Sequence, residues 1–427
     1  MGPNVRRLKI LMSAYACEPD KGSEPGVGWS VAQEMAKYHD VWVITRANNR
    51  PTIEAAISHG LAQNLHFAFY DLPRRTRSWK RGGGGVQLYY YLWQVGTYFV
   101  ARNLHRQINF DLAHHVTFVK YWAPSFVSLL PIPFIWGPVG GGESAPKPFC
   151  CNFSSAGRRY EIKRRVAQWL GERDPFVRLT ARRSVLALAT TGDTGRRLEA
   201  IGAKTVWPFS QVGFSSEEIE RLGRRKAAVS TTFRLISIGN LVHWKGFELG
   251  LRAFAHANHA DAEYWIIGDG PERSRLESLA KILGVAQSVK FFAEVPRDEA
   301  LGKLAQCHVL VHPSLHDSGG FVCLEAMALG KPVICLDLGG PAVQVTGDTG
   351  FKVPACSPRQ AVSDMALAMK RLANDQQLCA SMGAAAQRRV VEHFSWSHKG
   401  KTLAMVYQAA AAGEDGRASV AGGPDFS

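Results

Sequence analysis

The chain has 427 residues, a length that predicts two domains, each with its own hydrophobic core. Hydrophobic residues make up 46% of the sequence and charged residues 20%, which excludes wholesale disorder. The net charge of +15 leaves three classes of partner open: nucleic acid, an anionic membrane surface, or anionic small substrates.

The beginning of the chain and its cysteines bear on the cellular compartment. Residues 1–22 lead into a strand-like run without a long apolar region before a cleavage site, so we expect no secretion signal. The eight cysteines form no CxxC pair, which supports neither a disulfide framework nor a zinc site. The apolar run at 86–101 is short for a membrane span and predicts a buried or interfacial helix. A cytoplasmic protein is therefore expected.

Strand-like runs alternate with helical patterns along the chain, which predicts an α/β protein with parallel sheets. Short apolar runs that end in Gly or Pro are typical of doubly wound sheets. The first series is LKILMSAYA (8–16), DVWVITRA (40–47), LHFAFYDL (65–72), FDLAHHVTF (110–118), PFIWGPVG (133–140) and VLALATT (185–191). The second series is FRLISIGNL (233–241), AEYWIIGDG (262–270), VKFFAEV (289–295), HVLVHPS (308–314) and KPVICLDL (331–338).

A polar and charged segment at 208–232 separates the two series and is interpreted as the connection between domains. We predict two Rossmann-like domains, an N-terminal one over 1–212 and a C-terminal one over 213–395. The small and polar residues at 413–427 predict a disordered tail.

The basic residues cluster in three segments of the first half, at 74–81, 157–165 and 172–183. Several of the cations stand beside Trp or Tyr, as in segments that rest on anionic lipid headgroups. The alternative is a solvated basic helix face. We expect no nucleic-acid partner, because no zinc-finger, helix-turn-helix or RNA-binding signature accompanies the charge.

The predicted N-terminal domain has candidate ligand-binding groups at its strand ends. Gly22, Gly26 and Gly28 precede a helix expected to start near Trp29, and glycine there lets backbone amides approach an anion. The alternative is that these glycines only permit tight packing.

The fourth strand carries His114 and His115 at its C-terminal end. Successive strand residues face opposite ways, so at most one of them can point toward a ligand. Either one can instead be a hydrogen-bonded structural histidine. The glycine-rich segment at 136–146 adds a third loop at this edge, or a plain turn.

The stretch HPSLHDSGGFVCLEAMALGKPVICLDLGG at 312–340 combines phosphate donors with hydroxyl acceptors. The amides at the predicted helix start belong to Ser318, Gly319, Gly320 and Phe321. Lys245, before another helix, suits a diphosphate, although a surface lysine is the plain alternative. Carboxylates do not bind phosphate, so Glu325 suits a ribose diol and Asp317 the hydroxyls of a sugar ring. These groups together predict a nucleotide-sugar site.

These residues make the chain resemble the family 4 retaining glycosyltransferases of the GT-B fold. The family motif H-P-S-x-x-E-x-x-G-x-x-x-x-E-A-M-A-x-G-x-P-V-I stands here as HPSLHDSGGFVCLEAMALGKPVI. Further similar segments are IIGDGPERSRLESLAKILGV and GNLVHWKGF, and the resemblance covers about residues 8 to 410. It implies two Rossmann-like doubly wound domains that face each other across a cleft, with a last helix, 396–412, that packs back on the N-terminal domain.

The resemblance also implies a role for each donor-side residue. Glu325 would hold the donor ribose, Asp317 the transferred sugar, and Lys245 the diphosphate leaving group. Amides for the diphosphate would come from Gly319, Gly320 and Phe321. No metal and no cofactor would be needed, because the lysine and the helix dipole neutralise the leaving group.

In the N-terminal domain, His114 would line the reaction centre and contact the donor sugar. Gly26 and Gly28 would stand near the phosphate and the acceptor.

Two residues depart from the family pattern. Asp317 stands where glutamate is usual, which shortens the reach of the acid. Asn240 stands in the donor site where the family usually has arginine, so one of two cations on the diphosphate is missing; such a loss costs about 2–4 kcal/mol of barrier. Arg252 and Arg273 are candidates to replace it.

The expected activity is that of a retaining, metal-independent hexosyltransferase. It would transfer a sugar from a UDP- or GDP-sugar to a glycan or lipid-linked acceptor, in cell-surface polysaccharide synthesis, in the cytoplasm or peripherally on the inner membrane. The alternatives are a phosphorylase or epimerase with the GT-B fold, and an inert nucleotide-sugar-binding scaffold subunit, which Asn240 favours.

Overall fold

A computed structural model describes residues 6–19, 21–58, 63–73, 85–118, 120–225 and 232–413. The chain forms two compact units. The first takes its described residues from Met1–Gly142, Arg165–Val212 and Trp396–Phe426, and the second from Glu143–Arg164 and Gly213–Ser395. Residues 143–164 thus come from the N-terminal half of the sequence but belong to the second unit.

The first unit is built on a parallel sheet with the order β3-β2-β1-β4-β5-β6-β7. Its strands are β1 (Lys9–Ala14), β2 (Asp40–Arg46), β3 (Leu65–Tyr70), β4 (Leu112–Thr117), β5 (Phe134–Val139), β6 (Ser184–Ala189) and β7 (Val206–Pro208). The central strands are buried along nearly their whole length because helices cover both faces of the sheet. The order reverses between β1 and β4.

Helices flank the first sheet, and side-chain caps fix where some of them begin. The helices of this unit are α1 (Ser23–Ala36), α2 (Arg50–Ser58), α3 (Val86–Ile108), α5 (Pro175–Arg183), α6 (Gly192–Ala200) and α15 (Trp396–Ala412), and α4 (Ser155–Gly171) crosses from the second unit into the first. Asp174 caps α5 by accepting the Phe176 amide at 2.7 Å, and Thr191 caps α6 through the Thr194 amide. The last helix, α15, packs against α1 within this unit.

The second unit has a parallel sheet with the order β10-β9-β8-β11-β12-β13. Its strands are β8 (Phe233–Ile238), β9 (Ala262–Ile267), β10 (Val289–Phe292), β11 (Val309–His312), β12 (Val333–Leu336) and β13 (Gly350–Val353). Its helices are α7 (Ser216–Gly223), α8 (Phe247–Ala257), α9 (Arg273–Ile282), α10 (Arg297–Ala305), α11 (Phe321–Ala328), α12 (Gly339–Gln344), α13 (Pro358–Asn374) and α14 (Gln376–His393). Its core includes Phe149 and Phe153 from the segment at 143–164.

The α/β fold class with doubly wound parallel sheets is confirmed. Each of the eleven predicted runs contains a strand, whereas β7 and β13 were not predicted. The run at 86–101 lies in α3, which buries Tyr89, Tyr90 and Trp93. Within the described residues, no helix combines the length and apolar character needed to cross a bilayer. The basic segment at 74–81 and the tail from 414 onward lie outside the described residues.

A matched pair of isoleucines tests the core of the second unit. Ile266 of β9 is fully buried, whereas Ile282 at the end of α9 is 81% exposed. We expect Ile266→Ala to lower the free energy of unfolding by about 2–5 kcal/mol, because it opens a cavity. Ile282→Ala is the control and should change it by less than about 0.5 kcal/mol. Denaturant unfolding measures both, and equal losses would contradict this placement of the core.

Candidate functional site

The candidate site of the second unit lies where the strand order of its sheet reverses. β8 and β11 are neighbours there, and the helices that follow them are α8 and α11. Ligands of open α/β sheets bind at the carboxyl ends of the strands at such a point. Lys245 ends the short 3-10 turn after β8, and Asp317 lies in the loop after β11. The reversal therefore brings together two residues that are 72 positions apart.

Asp317 is the centre of a cluster of donors. One carboxylate oxygen, Oδ1, accepts the backbone N–H of Gly319 at 3.1 Å and that of Gly320 at 3.0 Å. The other, Oδ2, accepts from the Lys245 ammonium and lies 3.3 Å from His312 Nε2. Burial alone would raise the pKa of Asp317, but Lys245 and His312 outweigh it and hold this pKa well below its usual range. Asp317 is therefore ionised and fully engaged.

The start of α11 is shaped by close packing. Gly320 has a φ of +61° immediately before the helix, and a Cβ there would lie 3.0 Å from Pro341 Cγ. The Gln344 amide donates to the Gly319 carbonyl, and Phe321 packs edge-on against Phe214 with a ring-centroid distance of 5.7 Å. The backbone that carries the predicted phosphate-binding amides is thus held from outside the loop.

Ser318 is bound by a carboxylate that the sequence did not single out. Its hydroxyl donates to Glu143 Oε2 at 2.5 Å, and Glu143 is only 3% exposed. The Arg164 guanidinium donates to the Glu143 carbonyl at 2.6 Å. Glu143 lies in the glycine-rich segment at 136–146, but only the structure shows that this residue joins the second unit.

A second buried carboxylate, Glu161 of α4, orders the loops on either side of the site. Its Oε1 lies 3.0 Å from His316 Nε2 and 3.1 Å from His243 Nε2. Burial works to raise the pKa of Glu161, but the two histidines dominate and lower it. The Trp244 ring stacks between Tyr160 and His316, with centroid distances of 4.7 and 5.5 Å. The loops after β8 and β11 are therefore tied to α4.

Glu325 of α11 is paired with a cation that the sequence analysis missed. Its Oε1 accepts from Arg297 Nε at 2.7 Å, and Arg297 also contacts Glu218 at 2.9 Å. Burial raises the pKa of Glu325, although Arg297 opposes the shift. Arg297 begins α10, the helix that follows β10 after a short loop, so its place beyond a strand's carboxyl end was the signal that could have identified it.

The cations proposed to replace the missing arginine are engaged elsewhere. Asn240 is exposed in the loop after β8. Arg252 pairs with Glu248 at 2.9 Å. Arg273 pairs with Glu277 and donates to the carbonyls of Gly268 and Phe292. Neither arginine contacts Asp317 in the structure.

In the first unit, the glycine segment after β1 differs from the expectation. The helix begins at Ser23 rather than near Trp29, so Gly26 and Gly28 lie inside α1. A Cβ on Gly26 would stand 2.1 Å from the Lys21 carbonyl oxygen, and one on Gly28 would stand 2.3 Å from that of Ala16. These glycines let the preceding loop pack onto the helix, and their predicted contact with a donor stays a prediction.

The two histidines of β4 are buried on opposite faces of the strand. His114 Nε2 donates to the Gly137 carbonyl at 2.6 Å, and Nδ1 lies 2.5 Å from the Tyr407 hydroxyl. His115 Nε2 lies 3.2 Å from the Tyr90 hydroxyl. Both histidines lie in the middle of β4 rather than beyond its carboxyl end, and both ring nitrogens of His114 have hydrogen-bond partners. The catalytic role of His114 stays a prediction.

The second unit resembles a known family. The family model of the glycosyl transferases group 1 matches residues 219–389. The D-inositol 3-phosphate glycosyltransferase of Corynebacterium jeikeium is 30% identical over 204 residues, which covers 45% of this chain and 48% of the relative. The chain spans about half the length of the curated relatives it matches.

Solved structures resemble the chain over both units. The sucrose-phosphate synthase of Thermosynechococcus elongatus has a TM-score of 0.61 at 15% identity, covering 96% of this chain and 100% of the other. The Anabaena protein HepE, in complex with UDP, has a TM-score of 0.59 at 18% identity, covering 93% and 98%. These likenesses confirm the GT-B fold.

The environment of His114 predicts a pH-dependent stability. Burial lowers its pKa to about 3, below the value of about 6.5 in an unfolded chain. Below about pH 6.5 the unfolded state therefore takes up a proton that the folded state excludes. The free energy of unfolding falls as the pH drops from about 6.5 toward about 3, by up to about 1.4 kcal/mol per pH unit for one histidine. In His114→Gln this contribution to the slope should vanish. Denaturant unfolding between these pH values measures the slope.

The control for this measurement is His66→Gln, which removes an exposed imidazole from β3. A slope in the control that matched the slope of His114→Gln would contradict the assignment of the pH dependence to His114.

Proposed function

We propose that the protein is a family 4 retaining glycosyltransferase that moves a hexose from a UDP- or GDP-sugar to a glycan or lipid-linked acceptor. The observation that carries this proposal is the meeting of Lys245 with the loop 317–320 at the reversal point of the second sheet. The match of residues 219–389 to the glycosyl transferases group 1 supports the same reaction class.

The donor would bind to groups that the second unit already holds close together. Lys245 and the amides at the start of α11 would neutralise the diphosphate, and these fixed donors would do so without a metal ion. Glu325 would accept hydrogen bonds from the ribose hydroxyls once Arg297 no longer donates to the Glu325 carboxylate. The UDP bound to the Anabaena protein HepE supports a uridine nucleotide as the donor class.

The transfer step would use Asp317 and the leaving-group donors. Asp317 would accept a hydroxyl of the transferred sugar and orient it. The bond between the sugar and the diphosphate would break with the electron pair on the diphosphate. The acceptor hydroxyl oxygen would bond to the sugar carbon from the same face, and its proton would pass to the departing diphosphate. A contact between His114 and the sugar would require His114 to lose its hydrogen bond to Tyr407 or to Gly137.

Asn240 favours a second candidate function, an inert nucleotide-sugar-binding scaffold subunit. The diphosphate would then meet Lys245 but not a second cation from the loop after β8. This alternative predicts nucleotide binding without transfer to any acceptor, whereas the enzyme releases free nucleoside diphosphate when an acceptor is supplied.

The exposed surface of α4 and α5 supports binding to an anionic membrane. The protein would act in the cytoplasm, on the inner membrane, where it would meet lipid-linked acceptors of cell-envelope polysaccharides. The α4–α5 apolar surface consists of the exposed side chains of Val166, Trp169, Leu170, Phe176 and Leu179. Exposed arginines accompany it, among them Arg165, Arg173 and Arg178. Exposed apolar side chains among cations are typical of helices that lie in the headgroup region.

Nucleotide binding tests the proposed reaction directly. A ligand at a hundred times its dissociation constant stabilises a protein by about 2.7 kcal/mol, so UDP, GDP or their sugar conjugates should raise the thermal unfolding midpoint. Lys245→Ala and Glu325→Ala should weaken binding about tenfold or more, because each removes a charged contact.

The matched control for Lys245→Ala is Lys352→Ala, which removes an exposed lysine from β13 and should bind as the wild type does. Unchanged nucleotide binding in both Lys245→Ala and Glu325→Ala would exclude the proposed donor site.

Vesicle binding tests the membrane proposal. Trp169 and Leu170 are 53% and 57% exposed, and replacing both by Ser should reduce binding to vesicles of phosphatidylglycerol and phosphatidylcholine roughly tenfold or more. Leu367→Ser, which changes a residue of α13 that is 62% exposed, is the control. Failure of the wild-type protein to sediment with these vesicles at low salt would refute the proposal.

A further inference from the structure

We propose that the carboxylate of Asp317 is an internal competitor of the donor diphosphate. When the site is empty, this carboxylate occupies the position of the diphosphate, and when a donor binds, it moves to a hydroxyl of the donor sugar. This inference rests on the proposed function, because it assigns the diphosphate of a sugar nucleotide to the loop that Asp317 occupies. It makes Asp317 the residue that distinguishes the sugar nucleotide from the free nucleoside diphosphate.

The contacts of Asp317 carry the inference. Three of the groups proposed to bind phosphate oxygens, the Lys245 ammonium and the amides of Gly319 and Gly320, donate to Asp317. An N–H that points at Oδ1 is not available to a phosphate in the same place. The position that suits an anion is therefore already filled by an anion of the chain itself, with His312 at 3.3 Å on its other side.

The backbone around Asp317 is fixed, so only its side chain can leave. The Asp317 carbonyl accepts the Gly340 amide at 2.7 Å. The backbone of Gly339 and Gly340 packs so closely on this loop that a Cβ would stand 2.4 Å from the Asp317 oxygen and 2.5 Å from the Ser318 oxygen. Rotation of the Asp317 side chain would therefore expose the two amides without rebuilding the loop, and the diphosphate would enter a preformed site.

The length of the side chain explains why this residue type matters. The single methylene of aspartate lets its carboxylate accept the amides two and three residues ahead, a local contact that aspartate favours. Asp317 stands where the resembling family usually has glutamate, whose longer side chain does not favour this local contact. The aspartate that departs from the family pattern is thus the same residue that occupies the phosphate-binding amides.

Displacement has a different cost for the two nucleotides. A carboxylate that leaves Lys245 in a half-buried site loses a strong partner and must find another. The transferred sugar of a donor offers hydroxyls to it beyond the diphosphate, whereas the hydroxyls of a free nucleoside diphosphate are those of its ribose, which the proposed function assigns to Glu325. Asp317 should therefore weaken the binding of the product nucleoside diphosphate more than the binding of the donor. After transfer, the return of its carboxylate to the loop would help to expel the nucleoside diphosphate.

The test compares Asp317→Asn and Asp317→Ser with the wild type by titration calorimetry. The probes are UDP, GDP, their glucose and mannose conjugates, and pyrophosphate. Both variants should bind pyrophosphate and the preferred nucleoside diphosphate about tenfold more tightly, equivalent to about 1.4 kcal/mol. The preference for sugar nucleotide over nucleoside diphosphate should fall by at least the same factor.

The matched control is Asp337→Asn, which removes an exposed carboxylate whose ion pair with Lys352 is 3.9 Å long. It should bind every probe as the wild type does. The unfolding midpoint of each ligand-free variant shows whether the variant is folded, and either Asp317 variant alone suffices for the comparison.

The outcomes separate this inference from the proposed function. If sugar nucleotides bind the wild type but the folded Asp317 variants bind the nucleoside diphosphate no more tightly, the inference fails and the proposed function stands. If no nucleotide binds any form while pyrophosphate binds the variants more tightly than the wild type, the competitor role holds and the proposed function fails. If nothing binds any form, both fail.

Discussion

The reversal of strand order between β8 and β11 is the constraint on which the candidate site depends. Parallel strands need crossover helices, and at the reversal point the crossovers diverge to opposite sides, so two loops face each other at one edge of the sheet. Lys245 and Asp317 meet because of this topology. The close approach of Gly339 and Gly340 to the loop after β11 then fixes the backbone on which the contacts depend.

The charges of the site balance locally, although the chain carries a net charge of +15. Lys245 is matched by Asp317, and Arg297 by Glu325 and Glu218. Burial favours this balance, since an unpaired charge in such a place is costly. Among the described residues, exposed helices such as α4 and α5 carry more Lys and Arg than Asp and Glu, and water screens these charges. Net charge therefore describes the outer surface of this protein rather than its candidate site.

The sequence predicted the strands well because each lies in a short apolar run with a clear end. In contrast, β7 has only three residues, and β13, with the sequence GFKV, lacks a continuous apolar run. It also brought Lys245 and Asp317 into one site, because both follow strands in a motif with a physical rationale. It did not identify Glu143, Glu161 or Arg297, because their importance comes from contacts with residues far away in the chain. The start of α1 was misjudged, since glycines that look like a loop pack inside a helix.

The placement of residues 143–164 in the second unit limits how the two units can be separated or exchanged. Within the described residues, the chain passes between the units at 142/143, 164/165, 212/213 and 395/396. A single genetic crossover near residue 212 would pair one parent's Glu143, Phe149 and Glu161 with the other parent's core and histidines. A functional exchange of the second unit between relatives would therefore have to carry this short segment along with it, so the two units are interleaved in the chain rather than separable by a single cut.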